Sequence, residues 1–171
     1  MSARKHYAAK GIKKEERGAT IVEFALIAPL LFFLLFMIIE LGILFWVTLT
    51  MQYAVREGAR YAVTGQSNLD PATANQQRYL AAIQMIKDSS MGLYSEVNAT
   101  IVVNGVAQLP AAYNNTMFGA SDAIVVLQLD CTWPVVTPVY LLMALLNPSG
   151  QLSSPGLYAF SVAATMRNEA F

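Results

Sequence analysis

Few residues of this chain carry chemistry, and the most pointed of them is Glu23. It stands at the leading edge of a run, Phe24 to Ile39, that holds no charged or strongly polar side chain. A carboxylate beside hydrocarbon costs about 2–3 kcal/mol even on lenient insertion scales, so it should have a partner or a job. The plainer alternative is a signal-anchor helix with a stray Glu at headgroup level. Gly18 and Ala19 lie just upstream, and Glu23 is the fifth residue counted from Ala19. A cut between Gly18 and Ala19 creates an α-amino group at the head of the apolar helix. Carried on a second copy or a related subunit, that amine can meet Glu23 where the dielectric is low and the attraction large.

The remaining reactive side chains argue against catalysis. His6 is the single histidine and sits in a basic tail, where a solvated residue is the ordinary case. Removing residues 1–18 leaves a chain with no histidine, which excludes most metal sites and His-dependent hydrolase schemes. The carboxylates beyond the apolar run are scattered. Cys131 is the single cysteine and falls on the apolar face of an alternating segment, so a buried, inert thiol is expected. No enzyme, cofactor or metal site is expected.

The elements that position Glu23 follow from hydropathy and charge. Hydrophobic residues make up 56% of the chain and charged ones 13%, too apolar for an ordinary soluble domain. From Ile21 to Leu41 the run covers about 30 Å as a helix, the thickness of a bilayer's hydrocarbon. Residues 1–18 carry a net charge of +4 and the remainder −4. Basic residues ahead of a span hold the N-terminus in the cytoplasm and send the rest outside. A secretory signal fits poorly, since it would have a shorter apolar region with its small-residue cleavage site behind it. Three regions result: an unstructured basic leader, 1–18; a transmembrane half-helix, 19–49; and an extracytoplasmic domain, 50–171. Pro29 predicts a kink or loosened turn. Glu40 reads as a headgroup-level carboxylate, followed by Gly42, Phe45 and Trp46 in an interfacial belt.

Helical periodicity outlasts the span. Met51, Val55, Gly58 and Ala62 recur at helical spacing, extending the first helix to about Thr64 with Gly65 as its C-cap. Gly58 permits close approach of a packing element, whereas Arg56 and Arg60 read as a solvated face. Asp70-Pro71 predicts the start of a second helix reaching Ser89, with Tyr79, Ala82, Ile83 and Ile86 apolar. From Val97 the period becomes two. Asn104-Gly105 joins Ala99–Val103 to Val106–Leu109 as a hairpin. Pro110–Ser121 is a polar loop, and Asp122–Trp133 a strand with Ala123, Val125, Leu127, Leu129, Cys131 and Trp133 on one inward face. Val139–Leu146 reads as a short apolar helix, with a membrane surface or a partner as another possible seat, and Asn147–Gly156 as a turn. Leu157–Met166 is a last strand with Tyr158, Phe160, Val162, Ala164 and Met166 inward. The fold class is α+β: a long N-terminal helix packed on a small antiparallel sheet, with a second helix.

The stretch G-A-T-I-V-E-F at Gly18–Phe24 resembles the processing site of type IV pilin precursors of the Flp/Tad branch. R-E-G-A-R at Arg56–Arg60 and the ending A-A-T-M-R-N-E resemble the TadE-like minor pseudopilins. Phe24 departs from the Tyr frequent in Flp-type sites but keeps an aromatic. The resemblance implies a pilin-like fold and cleavage between Gly18 and Ala19 by a prepilin peptidase. It implies roles in assembly for Glu23, Phe24 and Pro29. As partners it implies other pilins and pseudopilins, an inner-membrane assembly platform and the lipid bilayer, with no nucleic acid. The subunit would prime or cap the filament. Three other readings stand beside it: a single-pass membrane adaptor or sensor with an intact N-terminus; an outer-face enzyme, for which the outer domain supplies only scattered carboxylates without histidine; and a tip module binding a surface through Tyr113, Asn114, Asn115 and Phe118. The processing reading predicts mature chains that begin at Ala19, and a bulky residue at Gly18 should leave a membrane-retained precursor. N-terminal sequencing of the native protein checks it; a terminus at Met1 or Ser2 excludes it.

Overall fold

The computed structural model describes residues 14–72, 76–137 and 156–170. Helix α1 (Lys14–Val63) is a single 50-residue element. It starts inside the stretch expected to be an unstructured leader and runs on through Pro29, whose missing N–H leaves the Ala25 carbonyl without its helical donor. Its most apolar 18-residue window has a mean hydropathy of 2.7 and is 11% buried, so the helix is long and apolar enough to cross a membrane. It ends where the sequence places the end. Gly65 adopts φ 68° and its N–H returns to the Ala62 carbonyl, a conformation that costs glycine nothing.

The rest of the chain builds a layer against the second half of α1. Helices α2 (Arg78–Ser89) and α3 (Leu93–Glu96) precede strands β1 (Thr100–Val103), β2 (Val106–Gln108), β3 (Ile124–Pro134) and β4 (Leu157–Arg167). The strands form one antiparallel sheet in the order β2-β1-β3-β4. The architecture is α+β, as expected. Asn104 (φ 50°) and Gly105 (φ 80°) both take positive φ in the two-residue turn between β1 and β2, the twist-matching geometry that Asn-Gly favours. Register aligns one inward row of side chains across the sheet, Ile101 with Leu129 and Leu129 with Val162. That face covers Val47, Met51, Ala54 and Val55 of α1, all fully buried.

Two expectations are corrected. The second helix starts at Arg78 and not at Asp70-Pro71. The Asp70 carboxylate is buried and accepts from the Ala72 N–H at 2.8 Å and the Gln77 N–H at 2.6 Å, so it closes the connection instead of capping a helix. Tyr158 is 41% exposed at the start of β4, stacked on Phe160 at 5.9 Å between centroids. Inward alternation holds for Val162 and Ala164 but loses its cover at the end of the sheet. The expected helix at 139–146 and nearly all of the turn after it lie outside the described residues.

Gly58 explains how α2 sits so close. A Cβ placed there would lie 2.2 Å from Ile86 Cγ1 and 3.3 Å from the Ala82 carbonyl oxygen. In an open helix, Gly→Ala gains about 1 kcal/mol. Here the sign should reverse: Gly58→Ala is expected to destabilise by about 1–3 kcal/mol through overpacking. Thermal unfolding of the detergent-solubilised protein measures it, and Ile86→Ala, which removes both clashing atoms, should cost less stability in the Gly58→Ala chain than in the parent chain.

Candidate functional site

The N-terminal constellation sits on an unaccompanied helix. Gly18 is exposed with nothing near its Cβ position. Glu23 is exposed and, among the described residues, has no hydrogen-bond or ion-pair partner. Phe24 (70% exposed) and Pro29 are exposed too. An unpartnered carboxylate on an apolar shaft is costly in lipid, so whatever satisfies Glu23 there must come from outside the described chain.

The second acidic residue of the apolar run behaves differently. Glu40 is 3% exposed. Its Oε1 accepts from the Val136 N–H at 3.3 Å and its Oε2 from the Thr137 N–H at 3.0 Å. The reading of Glu40 as a bare carboxylate is corrected in its partners, not in its height: Glu40 is a clasp that ties the chain just past β3 onto α1. Hydrogen bonds to a charged group contribute about 1.5–3 kcal/mol each. Its sequence signal is faint, since nothing local says that backbone from ninety-odd residues away will arrive there.

Beyond the clasp, α1 divides into two faces. Ile43, Val47, Met51, Val55, Gly58 and Ala62 meet the domain. Phe45, Trp46, Leu49 and Tyr53 point away, each at least half exposed. Arg56 continues the outer face. Arg60 pairs with Glu57 at 2.8 Å while its side chain stays 70% exposed. Glu57, Arg60, Tyr61, Thr64, Gln66 and Met85 line an open hollow of about 220 Å³ between the end of α1 and α2.

The loop after β2 is only partly a surface. Phe118 is 1% exposed and belongs to the core, which removes it from the expected surface-binding set. Asn168, whose role the sequence did not announce, holds the loop down: its Nδ2 donates to the Phe118 and Ala120 carbonyls at 2.7 Å each. Asn114 folds onto its own turn, accepting from the Thr116 N–H and Oγ1, and Asn115 is exposed. Tyr113 is half-buried against Tyr94, whose phenol is pushed up to about 12 by burial and by its neighbours Tyr113 and Cys131. Among the described residues no cluster of His, Cys, Asp or Glu has the makings of a metal site.

Taken together, these placements define a class: a helix long and apolar enough to cross a membrane, whose second half is also the spine of a small α+β domain. Residues 18–60 match the family described as TadE-like protein, a stretch that holds Gly18, Glu23, Pro29 and the R-E-G-A-R segment. No curated protein matches the chain, and no solved structure matches it.

Cys131 is buried on the inward face of β3, and burial, helped by the nearby Asp130, pushes its thiol up to about 12 from the ordinary 9.0. The thiol therefore stays protonated and unreactive when folded. Maleimide near pH 7.5 should label the native protein at least about tenfold more slowly than the denatured chain. Because the folded state keeps a proton that the unfolded state releases, this group should lower stability as pH rises from about 9 to about 12.

Proposed function

We propose that the protein is a minor pseudopilin of a Flp/Tad-type pilus assembly system, a structural subunit without catalysis or cofactor. The observation that carries the reading is the TadE-like match over residues 18–60, which begins at the candidate processing residue and covers the helix through Arg60. In this reading a prepilin peptidase cuts between Gly18 and Ala19. The basic leader holds the N-terminus on the cytoplasmic side of the inner membrane, and the domain stands outside. An assembly platform then draws the mature subunit into contact with other pilins and pseudopilins, where it primes or caps the filament.

The bare first half of α1 supports this reading in physical terms. Ile21, Phe24, Leu26, Ile27, Leu30 and Leu31 are each more than 60% exposed. A helix apolar on every side is stable only where lipid or other helices cover it, and a subunit that moves from bilayer to filament exchanges one cover for the other. The Ala19 amine of one subunit and Glu23 of the next would pair inside that cover. A tip module bound to a surface through the loop after β2 is left with Tyr113, Asn114 and Asn115, since Phe118 is core.

Glu23→Gln separates assembly from insertion. It keeps the size of the side chain and removes its charge, so membrane insertion should be no worse. Docking between subunits should weaken by about 1–3 kcal/mol if the pair is largely desolvated. Cells carrying the variant should hold an inserted subunit in normal amount and show fewer pili by electron microscopy. Undiminished piliation would overturn the role given to Glu23.

A further inference from the structure

The described structure fixes the height of the domain above the apolar shaft. Strand β4 runs alongside α1 in the same direction. Gln52 Nε2 donates to the Ala163 carbonyl at 2.9 Å, and further on the Glu169 N–H donates to the Val63 carbonyl at 3.1 Å. Going back from these contacts, Gln52 to Glu40 is about 18 Å of helix and Ala163 to Leu157 about 20 Å of strand. The start of β4 therefore lies level with Glu40. Pro134 and Trp133 pair with Leu157 and Tyr158, and the Glu40 clasp on Val136 and Thr137 places the end of β3 at the same height.

That height coincides with the end of the lipid-length segment. Ile21 to Ile39 spans about 28 Å of helix, close to the hydrocarbon thickness, and a headgroup layer adds about 5–7 Å on each side. Glu40 is the next residue, so the base of the sheet falls inside that layer. Its composition suits the place: Val136 is 69% exposed, Tyr158 41% exposed, Pro134 exposed and Trp133 half-buried. Apolar residues with amphipathic rings are what the boundary between hydrocarbon and water selects. Beside them on α1, Phe45 and Trp46 are 66% and 51% exposed.

We propose that the base of the sheet, formed by Pro134, Val136 and Tyr158 with Trp133 half-buried directly behind them and its indole N–H turned inward, is a membrane-contact surface seated among lipid headgroups, with Glu40 as the residue that holds it there. The partner is the bilayer interface itself. The proposal rests on the reading that α1 spans a membrane. It goes beyond that reading, because a spanning helix alone would leave the domain free to stand off on its stalk. The clasp carries the chain down to the shaft and removes that freedom. Glu40 acts by position: its carboxylate is consumed by backbone N–H groups, and the contact is made by other side chains.

The two tryptophans provide the test. Trp46→Phe leaves Trp133 as the only tryptophan. The full chain carrying it is reconstituted in phosphatidylcholine vesicles with a spin label either at the headgroup or near the end of the acyl chain. Trp133 fluorescence should be quenched at least about twofold more by the headgroup label than by the deep one, as an interfacial ring requires. Equal, negligible quenching by both labels overturns the proposal. Resistance to alkaline extraction reports on the span separately. A chain that resists extraction but shows no headgroup quenching keeps its span and loses the seated base; a chain that is extracted loses both. Adding Glu40→Leu, which removes both acceptors, should at least halve the headgroup quenching while the protein stays in the membrane. Unchanged quenching in that variant would overturn the role of Glu40. Val136→Asn keeps the backbone donor and adds no charge beside Glu40, and it should reduce quenching in the same direction.

Discussion

Read as a membrane span, the long helix of this protein has to satisfy two solvents, and the structure depends on how that is managed. In hydrocarbon every backbone polar group must find its partner inside the segment, which only a helix does locally. Leaving the bilayer, the same helix needs an apolar stripe to recruit a domain. Continuing α1 for 50 residues meets both demands without a joint. The first half is apolar on all sides and the second is divided into a packed face and a bare face. The change falls at Glu40, the first fully enclosed residue along the shaft.

Glu40 shows how a costly group becomes a structural one. Left alone between hydrocarbon and headgroups, its carboxylate would cost free energy. Two converging N–H groups from the end of β3 offset that cost, and those N–H groups would themselves have gone unpaired as the strand ended. Each side thus satisfies the other. Glu23 faces the same solvent problem, but no described residue of its own chain answers it. The contrast separates a residue whose partner is supplied by folding from one for which the described fold supplies none.

Much of the fold was legible because it is local. The helical repeat of Met51, Val55, Gly58 and Ala62, the Asn104-Gly105 turn and the strict alternation of β3 all follow from periods that a few residues carry. What could not be read depended on distant partners. Asp70 has the residue type and the following proline of a helix cap, yet its carboxylate is taken by the backbone of Ala72 and Gln77. Phe118 lies in a stretch whose polarity reads as surface, and only the grip of Asn168 shows why it is core. Tyr158 continues the inward alternation but runs past the layer that would cover it. In the candidate site, Gly18, Ala19 and Glu23 were readable as a spacing. The clasp at Glu40 was not, because its donors are backbone and leave no mark on composition.

The glycines of α1 make the same division visible in one residue type. Glycine inside a helix costs about 1 kcal/mol relative to alanine, so each position needs a reason. At Gly58 the reason is internal: Ile86 and the Ala82 carbonyl occupy the space where a side chain would stand. Gly18 and Gly42 have nothing near that space. For Gly18 the proposed processing would supply the reason, a small residue at the cut. Gly42 lies just past Glu40, beside exposed Leu41, Phe45 and Trp46. No contact within the described chain offsets its cost, and any account of it must therefore lie in what covers that face.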